Sequence, residues 1–339
     1  MSESLIESSW AKPDATYEIP LRPQQLADFL GQDSVRSRLD VCIGAAKKRQ
    51  EPLGHCLFHG PPGLGKTTLA HIMAQSMGTH LVVTSGPVLE RAGDLAGLLT
   101  NLKEGDVLFI DEIHRLPRTV EEYLYPAMED FALDLMIDSG PSARSVQVKL
   151  NRFTLVGATT RFGLLSGPMR SRFSFACRLD YYTNDVLQEI VSRSARLLGF
   201  AIDAEGAREV AKRSRGTPRI ANNLLRWVRD FAEMHAQGAA NLRTVIDALE
   251  MLAIDHRGLD EMDKKILSVL IDYYNGGPAG IHTIAVAVGE EPSTLEEVYE
   301  PYLILQGFLK RTPRGREATR AAYQHLGRRP PATDGDPKP

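Results

Sequence analysis

Gly60-Pro61-Pro62-Gly63-Leu64-Gly65-Lys66-Thr67-Thr68 stands between the apolar run Cys56-Leu57-Phe58 and an apolar helical pattern, and its reading decides the fold. Glycines at this spacing let successive backbone N–H groups turn inward on phosphate oxygens. Lys66 then reaches the β and γ oxygens, and Thr67 offers its hydroxyl to Mg²⁺. Gly63, Gly65, Lys66, Thr67 and Thr68 are therefore the expected phosphate cradle, with ATP and Mg²⁺ as cofactors. The plain alternative is a glycine-rich turn carrying an exposed lysine. A strand before the loop and a helix after it count against that.

Further apolar runs follow at 81–83, 107–110, 153–156 and 175–179, with helical patterns between them. Short apolar strands spaced by helices mark a parallel sheet covered on both faces, which predicts an α/β domain. The run 107–110 ends in Asp111-Glu112, whose side chains point in different directions by strand alternation. Asp111 would hold Mg²⁺, usually through water, and Glu112 would polarise the attacking water as general base. An acidic pair after a strand is otherwise a helix start, but downstream of a phosphate loop it reads as a hydrolytic site. Gly157-Ala158-Thr159-Thr160-Arg161 closes the next run and would set Thr160 beside the γ-phosphate, a helix cap being the other reading.

One segment breaks the pattern. Leu133, Leu135 and Ile137 alternate with Asp134, Met136 and Asp138, then Gly140-Pro141 intervenes, and Val146, Val148 and Leu150 alternate with Gln147 and Lys149. Two period-2 arms around a Gly-Pro turn predict an inserted β-hairpin.

After Asp180 helical spacing takes over, with Leu187, Ile190, Val191, Ala195 and Leu198 on one face and further amphipathic segments to about Ile254. Within it Thr217-Pro218-Arg219 reads as the start of a helix. A cation there opposes the helix dipole and suggests an external anion, a surface arginine being the alternative. Met262, Ile266, Val269, Leu270 and Tyr273 mark the next helix, which ends before Asn275-Gly276-Gly277-Pro278. Two shorter helices follow at 281–288 and 293–305, the second opened by Ser293 with Glu296 as a capping box. The run 308–316 then turns basic, and three helices with a basic hairpin make a winged-helix pattern. Residues 327–339 are rich in proline and glycine and read as a disordered tail.

At 339 residues the chain is longer than one ordinary domain, so two or three are expected. With 43% hydrophobic and 24% charged residues it is not a largely disordered polymer. A net charge of −3 excludes an overall basic coat, so any DNA contact needs a local patch. Cys42, Cys56 and Cys177 form no CxxC pair and no metal-ligand spacing, which suggests a reducing cytoplasm. The first 20 residues are polar, and no apolar run approaches the ~18 residues of a membrane span, so the chain is expected to be soluble and unexported.

The order of these motifs resembles the AAA+ ATPases, and finer strings narrow the resemblance. Leu21-Arg22-Pro23 with Phe29-Leu30-Gly31-Gln32, the loop 60–68, Phe109-Ile110-Asp111-Glu112-Ile113-His114-Arg115, Gly157 through Arg161, Gly216-Thr217-Pro218-Arg219 and Arg311-Thr312-Pro313-Arg314-Gly315-Arg316 look like the RuvB family of Holliday junction branch-migration ATPases. The resemblance covers roughly 21–326. It implies a large ATPase domain (1–180), a small helical lid (181–254), a winged-helix head that touches DNA (255–326) and a tail (327–339), assembled as a homohexameric ring. It also implies a place in recombination, DNA repair and the SOS response.

By that resemblance Leu21, Arg22 and Tyr182 line the adenosine pocket, Glu129-Asp130-Phe131 contacts nucleotide, and Arg219 is the lid's phosphate sensor. Arg172, in Met169-Arg170-Ser171-Arg172-Phe173, matches an arginine finger that enters the neighbouring subunit's site, with Arg170 as the alternative. Such a finger stabilises charge on the transferring phosphoryl group. The hairpin 133–150 would dock on RuvA, the partner that holds the four-way junction, since an apolar ribbon of Leu135, Met136 and Ile137 suits a protein contact; packing on its own domain is the alternative. A RuvC-like resolvase is the implied partner downstream.

In the head, Glu290, Glu291, Glu296, Glu297 and Glu300 would be repelled by a phosphate backbone, so their helix is not expected in a groove. Lys310, Arg311, Arg314 and Arg316 concentrate positive charge on the wing, which suits contacts to the DNA backbone without base readout. The alternative is a solvated basic turn. Two rival functions remain: a nucleotide-switched loader or scaffold on DNA, and a protein remodeller. The remodeller is disfavoured because no pore-loop aromatic string stands out.

Overall fold

The computed structural model describes residues 20–136 and 145–330, and two compact units divide after Val186. Most of the N-terminal segment, the Gly140-Pro141 turn with Ile137, and residues 331–339 of the expected tail lie outside the described residues.

The first unit holds a five-stranded sheet. In chain order its elements are α1 (Asp33–Arg49), β1 (Cys56–His59), α2 (Lys66–Met77), β2 (Leu81–Ser85), α3 (Ala92–Thr100), β3 (Val107–Asp111), α4 (Arg118–Glu129), β4 (Ala132–Met136), β5 (Ser145–Lys149), β6 (Thr154–Thr159), α5 (Gly167–Ser171) and β7 (Phe175–Arg178). The strand order is β2-β3-β6-β1-β7, every pair parallel. All five apolar runs of the sequence are strands of this sheet. In the three central strands apolar content follows from burial on both faces: Cys56, Leu57, Phe58 and Val107 through Ile110 are fully buried, and β6 is buried from end to end, while the edge strands β2 and β7 are only partly buried. Each such Leu, Ile or Phe contributes roughly 1.5–3 kcal/mol by leaving water.

The topology positions the site. The chain leaves β1 for β2 at the far edge, then returns through β3 and β6, so β3, β6 and β1 lie side by side. Open parallel sheets present ligand sites beyond the carboxyl ends of their strands, where strand order reverses. His59, Thr159 and Asp111 end these three strands, His59 in register with Thr159.

The hairpin is β4 paired antiparallel with β5, Leu133 opposite Val148 and Leu135 opposite Val146. Leu133 is fully buried in the sheet's core while Val146 is exposed, so the base of the hairpin packs on its own domain and the outer part of β5 faces away from it.

The second unit carries α6 (Asn184–Leu197), β8 (Ala201–Ile202), α7 (Ala204–Arg213), α8 (Pro218–His235), β9 (Ala239–Ala240) and α9 (Leu242–Met251), then α10 (Glu261–Asp272), α11 (Ile281–Val288), α12 (Glu300–Leu305), β10 (Leu309–Thr312), β11 (Gly315–Ala318) and α13 (Arg320–His325). β10 and β11 pair antiparallel as the wing. The expected Ser293 capping box is absent: the helical run opens at Pro292 after Glu291, with no side-chain cap, and passes through a π-turn at Leu295–Tyr299 before α12. Proline is already suited to a first helical position. The Glu296 carboxylate is drawn elsewhere, onto Arg316. Tyr273, expected on the inner face of α10, is exposed at that helix's C-cap.

His55 ties the sheet to its covering layer. The Leu155 N–H donates to its Nδ1 at 2.9 Å, so the proton sits on Nε2, which donates to the Met128 carbonyl at 3.0 Å. Burial holds its pKa below the ordinary value, and the Met128 bond opposes that only in part. The unfolded chain therefore binds a second ring proton more tightly, and stability is lost as pH falls through and below the unfolded value of about 6.5. His55→Gln is expected to cost about 1–3 kcal/mol at pH 7.5, through imperfectly paired buried groups. In thermal melts the variant should lose less stability than the parent between pH 7.5 and 5.5.

Candidate functional site

The loop after β1 is shaped by three glycines at positive φ: Gly60 at 135°, Gly63 at 75° and Gly65 at 104°. At Gly60 an added Cβ would meet the Leu179 carbonyl oxygen at 2.3 Å, and at Gly65 the Phe29 ring at 2.9 Å. Only glycine fits either place. Lys66 opens α2 and is buried, its Nζ donating to the carbonyls of Gly60 and Pro61 at 2.8 Å each. The first turn of α2 has no acidic residue and no side-chain cap, which leaves its N–H groups and dipole to an anion.

Asp111 ends β3, and Glu112 follows it outside the strand. Asp111 Oδ1 accepts the Glu112 N–H at 3.0 Å. Glu112 takes a left-handed backbone, φ 45°, and its Oε2 accepts the Thr160 hydroxyl at 3.0 Å. His114 Nδ1 lies 3.1 Å from the same oxygen and 2.9 Å from Thr159 Oγ1. The carboxylate is thus held by groups from two strand ends, and a glutamate so fixed can orient a water. Sequence reasoning gave no role to Thr159 or His114, although His114 lies within the string that carried the resemblance; the turn at Ile113–Arg115 folds His114 back to Glu112, and the pairing of β3 with β6 sets Thr159 against His114.

The segments expected at the adenosine side also converge. Leu21 is buried and Arg22 half-buried. Burial, and after it the charge of Arg22, holds His71 on α2 below its ordinary pKa. Tyr182 is buried and its hydroxyl donates to the Leu64 carbonyl within the loop at 3.0 Å. Burial pushes this phenol far up, which keeps it a neutral donor. Gly31 abuts the Tyr182 ring, where a Cβ would stand 2.8 Å away, and Gln32 bonds both the N–H and the carbonyl of Asp180. The string Phe29 through Gln32 therefore holds the Tyr182 segment against the phosphate loop.

Arg172 belongs to a second group. Its Nη2 pairs with Glu129 Oε2 at 3.1 Å, its Nη1 donates to the Pro168 carbonyl at 2.8 Å, and the guanidinium lies 4.1 Å from the Tyr125 ring centroid. Asp130 is exposed beside Glu129, and Phe131, at φ 50°, packs near Phe153 at 5.9 Å between centroids. Arg170 is exposed, its guanidinium 5.5 Å from the Phe162 ring.

In the second unit, Thr217, Pro218 and Arg219 are the N-cap and first two residues of α8, with no acidic residue in that first turn. On the wing, Lys310, Arg311 and Arg314 are exposed. Arg316 is not: it is buried, donating to Glu300 Oε2 at 2.8 and 3.1 Å and to Glu296 Oε1 at 2.7 Å. Burial works against its charge, and the two carboxylates more than offset this and raise its pKa. The expectation of Arg316 as a DNA contact is thus corrected: its charge is taken up inside the head. The five-carboxylate row is corrected with it, since Glu296 and Glu300 are neutralised from the wing, Arg311 standing 3.8 Å from each. Among the described residues, no helix is long and apolar enough to cross a membrane.

Comparison with known proteins agrees along the chain. Residues 21–179 match the model of the Holliday junction DNA helicase RuvB P-loop domain, 182–255 the RuvB AAA lid domain and 256–327 the RuvB C-terminal winged helix domain. The chain is 67% identical over 326 residues to the Holliday junction branch migration complex subunit RuvB of Protochlamydia amoebophila, spanning 96% of this chain and 98% of that protein. The subunit of the same name in Chlamydia trachomatis is 57% identical over 317 residues, 94% of this chain and 95% of that one. A solved structure of the Thermotoga maritima RuvB Holliday junction branch migration motor superposes with a TM-score of 0.84 at 51% identity, covering 92% of this chain and all of that one.

Two contrasts test this geometry by chemical denaturation. Gly60→Ala is expected to lose about 1–3 kcal/mol through strain at the Leu179 carbonyl. Gly97→Ala, on an open face of α3, should gain about 0.5–1 kcal/mol. Arg316→Ala removes the close partner of Glu296 and of the buried Glu300, leaving them only Arg311 at 3.8 Å, and should cost about 3–5 kcal/mol, whereas Arg314→Ala should change stability by less than about 0.5 kcal/mol.

Proposed function

The chain belongs to the RuvB family, and from that premise we propose that it is an ATP-driven motor for branch migration of Holliday junctions, working in recombination and DNA repair. The observation that carries the reading is the Glu112 carboxylate, fixed by Thr160 at the end of β3 and one strand removed from the loop that ends β1.

ATP binds with its phosphates on the N–H groups of the loop and of the first turn of α2. Gly63, Gly65, Thr67 and Thr68 supply the backbone, and Lys66 exchanges its loop carbonyls for phosphate oxygens. The adenosine rests against Leu21, Arg22 and Tyr182. Thr67 and Asp111 would hold Mg²⁺, which supplies neutralisation of phosphate charge. Among the described residues no group of three or more His, Cys, Asp or Glu could hold a metal. One hydroxyl and one carboxylate suit Mg²⁺, which keeps water and phosphate oxygens as its other ligands. Glu112 orients the attacking water and accepts its proton. Thr160, sharing a hydrogen bond with that carboxylate, couples the position of the base to the γ-phosphate.

Assembly completes the site. In a homohexameric ring Arg172 reaches the neighbour's γ-phosphate as the finger, with Glu129, Asp130 and Phe131 on the same subunit edge. Its bonds to Glu129 and Pro168 hold the guanidinium ready, and that hold favours it over Arg170. Arg219 supplies the lid's contact to phosphate. The hairpin 133–150 docks on a RuvA-like protein that holds the four-way junction, and a RuvC-like resolvase acts on the product, all in the cytoplasm. Lys310, Arg311 and Arg314 grip the duplex through its backbone, which suits movement along any sequence.

Glu112→Gln is the direct test. It should keep ATP and junction binding, lower hydrolysis by about 10²–10⁴-fold and abolish junction movement. Movement at the parent's rate would instead make the nucleotide a switch, as in a loader. Arg314→Ala should weaken duplex binding equally across sequences and reduce the salt slope of log K by about 1.

A further inference from the structure

Ser214-Arg215-Gly216-Thr217 is a polar sequence between α7 and α8, yet Arg213, Ser214, Arg215 and Thr217 are all buried. Buried polar groups must find partners; Ser214 and Thr217 bond carbonyls of their own segment, while the two arginines find theirs in the chain that enters the head. Arg213 Nη1 donates to the Ile254 carbonyl at 2.8 Å. Arg215 Nε donates to the Gly258 carbonyl at 2.9 Å, and its Nη2 pairs with Asp263 and stands 3.7 Å from Asp260. Its guanidinium also lies 4.8 Å from the centroid of the Tyr302 ring on α12. Asp260 and Asp263 are the two halves of the capping box that opens α10, so the carboxylates that start the head's first helix are those that hold Arg215. Burial pushes the Asp263 carboxyl up, and the facing Arg215 charge opposes it.

The joint is closed from the other side as well. Tyr302 donates its hydroxyl to the Arg257 carbonyl at 2.6 Å. Gly258, at φ 76°, brings the chain so near the lid that a Cβ would stand 2.8 Å from the Arg213 carbonyl oxygen. Arg215 itself adopts φ 54°, a conformation a non-glycine residue holds only when its surroundings fix it.

Two continuations give the joint its meaning. Arg219 follows four residues after Arg215, across Thr217 and Pro218 at the start of α8. From Tyr302 the same short helix α12 carries Glu300, which holds Arg316 of the wing. We propose that Arg215 is a positioning residue that joins lid and head into one rigid body, so that a shift of Arg219 on nucleotide phosphate reaches the DNA-gripping wing undiminished. The proposal rests on the motor reading and on Arg219 as phosphate sensor. Arg215→Lys keeps a charge opposite Asp263 but loses the fork that reaches Gly258 and the plane that faces Tyr302, so it cannot replace the joint fully.

The test uses the full chain with cysteines placed for spin labels at Met234 on α8 and Val286 on α11, both more than three-quarters exposed. Cys42, the one native cysteine among the three that is not buried, is replaced by serine. The parent should give one narrow distance, unchanged between ADP and a slowly hydrolysed ATP analogue, and Arg215→Gln a broadened one. In a parallel assay with junction and RuvA-like partner, Arg215→Gln should hydrolyse ATP within about twofold of the parent yet consume at least about tenfold more ATP per junction moved, with Arg215→Lys between them. A parent distance that changes with nucleotide would overturn the proposal. So would hydrolysis and movement falling together in Arg215→Gln, or remaining unchanged. If Arg215→Gln does not fold, the parent distance and Arg215→Lys still decide. If the parent moves no junction at all, the motor reading fails, while the distance still reports whether the joint is rigid.

Discussion

The close approach of Gly60 to the Leu179 carbonyl is the constraint on which the first unit depends. β1 lies between β6 and β7, and the chain must turn sharply out of it without meeting the segment that continues β7. A side chain at that turn would push the loop off the sheet, and with it the amine of Lys66 that rests on the Gly60 and Pro61 carbonyls. The phosphate-binding shape thus comes from backbone sterics at a strand end, and the burial of β1, β3 and β6 keeps that end fixed.

Two charge clusters of the second unit lie inside the fold. Arg316 lies between Glu296 and Glu300, and Arg215 against Asp260 and Asp263, both sets largely withdrawn from water. Such sets give little net stability, but removing one partner strands a buried charge at a cost of several kcal/mol, about 3–5. They act as registration devices: one fixes the wing to the helix beneath it, the other fixes lid to head. Exposed Lys310, Arg311 and Arg314 are left as the wing's outward charge, and the acidic row beneath them is partly spent.

Much of this was legible from local sequence. The five strands, the phosphate loop, the hairpin arms and the α8 start at Thr217-Pro218 all follow from periodicity or from one residue's conformational limits, which are properties of neighbours along the chain. Partners across strands or domains were not legible. Nothing near Glu112 in sequence announces Thr160, and His114, two residues on, gains its role only through the turn at Ile113–Arg115 that folds it back onto the carboxylate. Arg316 read as a surface cation because its neighbours are basic, while its true partners lie on α12 and the π-turn before it. The Ser293 cap failed for a related reason: Pro292 could already open the helix, and the wing competed for Glu296.

The central claim is that hydrolysis at this loop moves DNA. The most direct measurement follows a four-way junction held by the RuvA-like partner and the full chain, with ATP or with a nonhydrolysable analogue, scoring junction position and complex formation together. The account predicts that the complex forms with either nucleotide and that the junction moves only with ATP. Equal movement with the analogue would contradict it, because binding alone would then suffice.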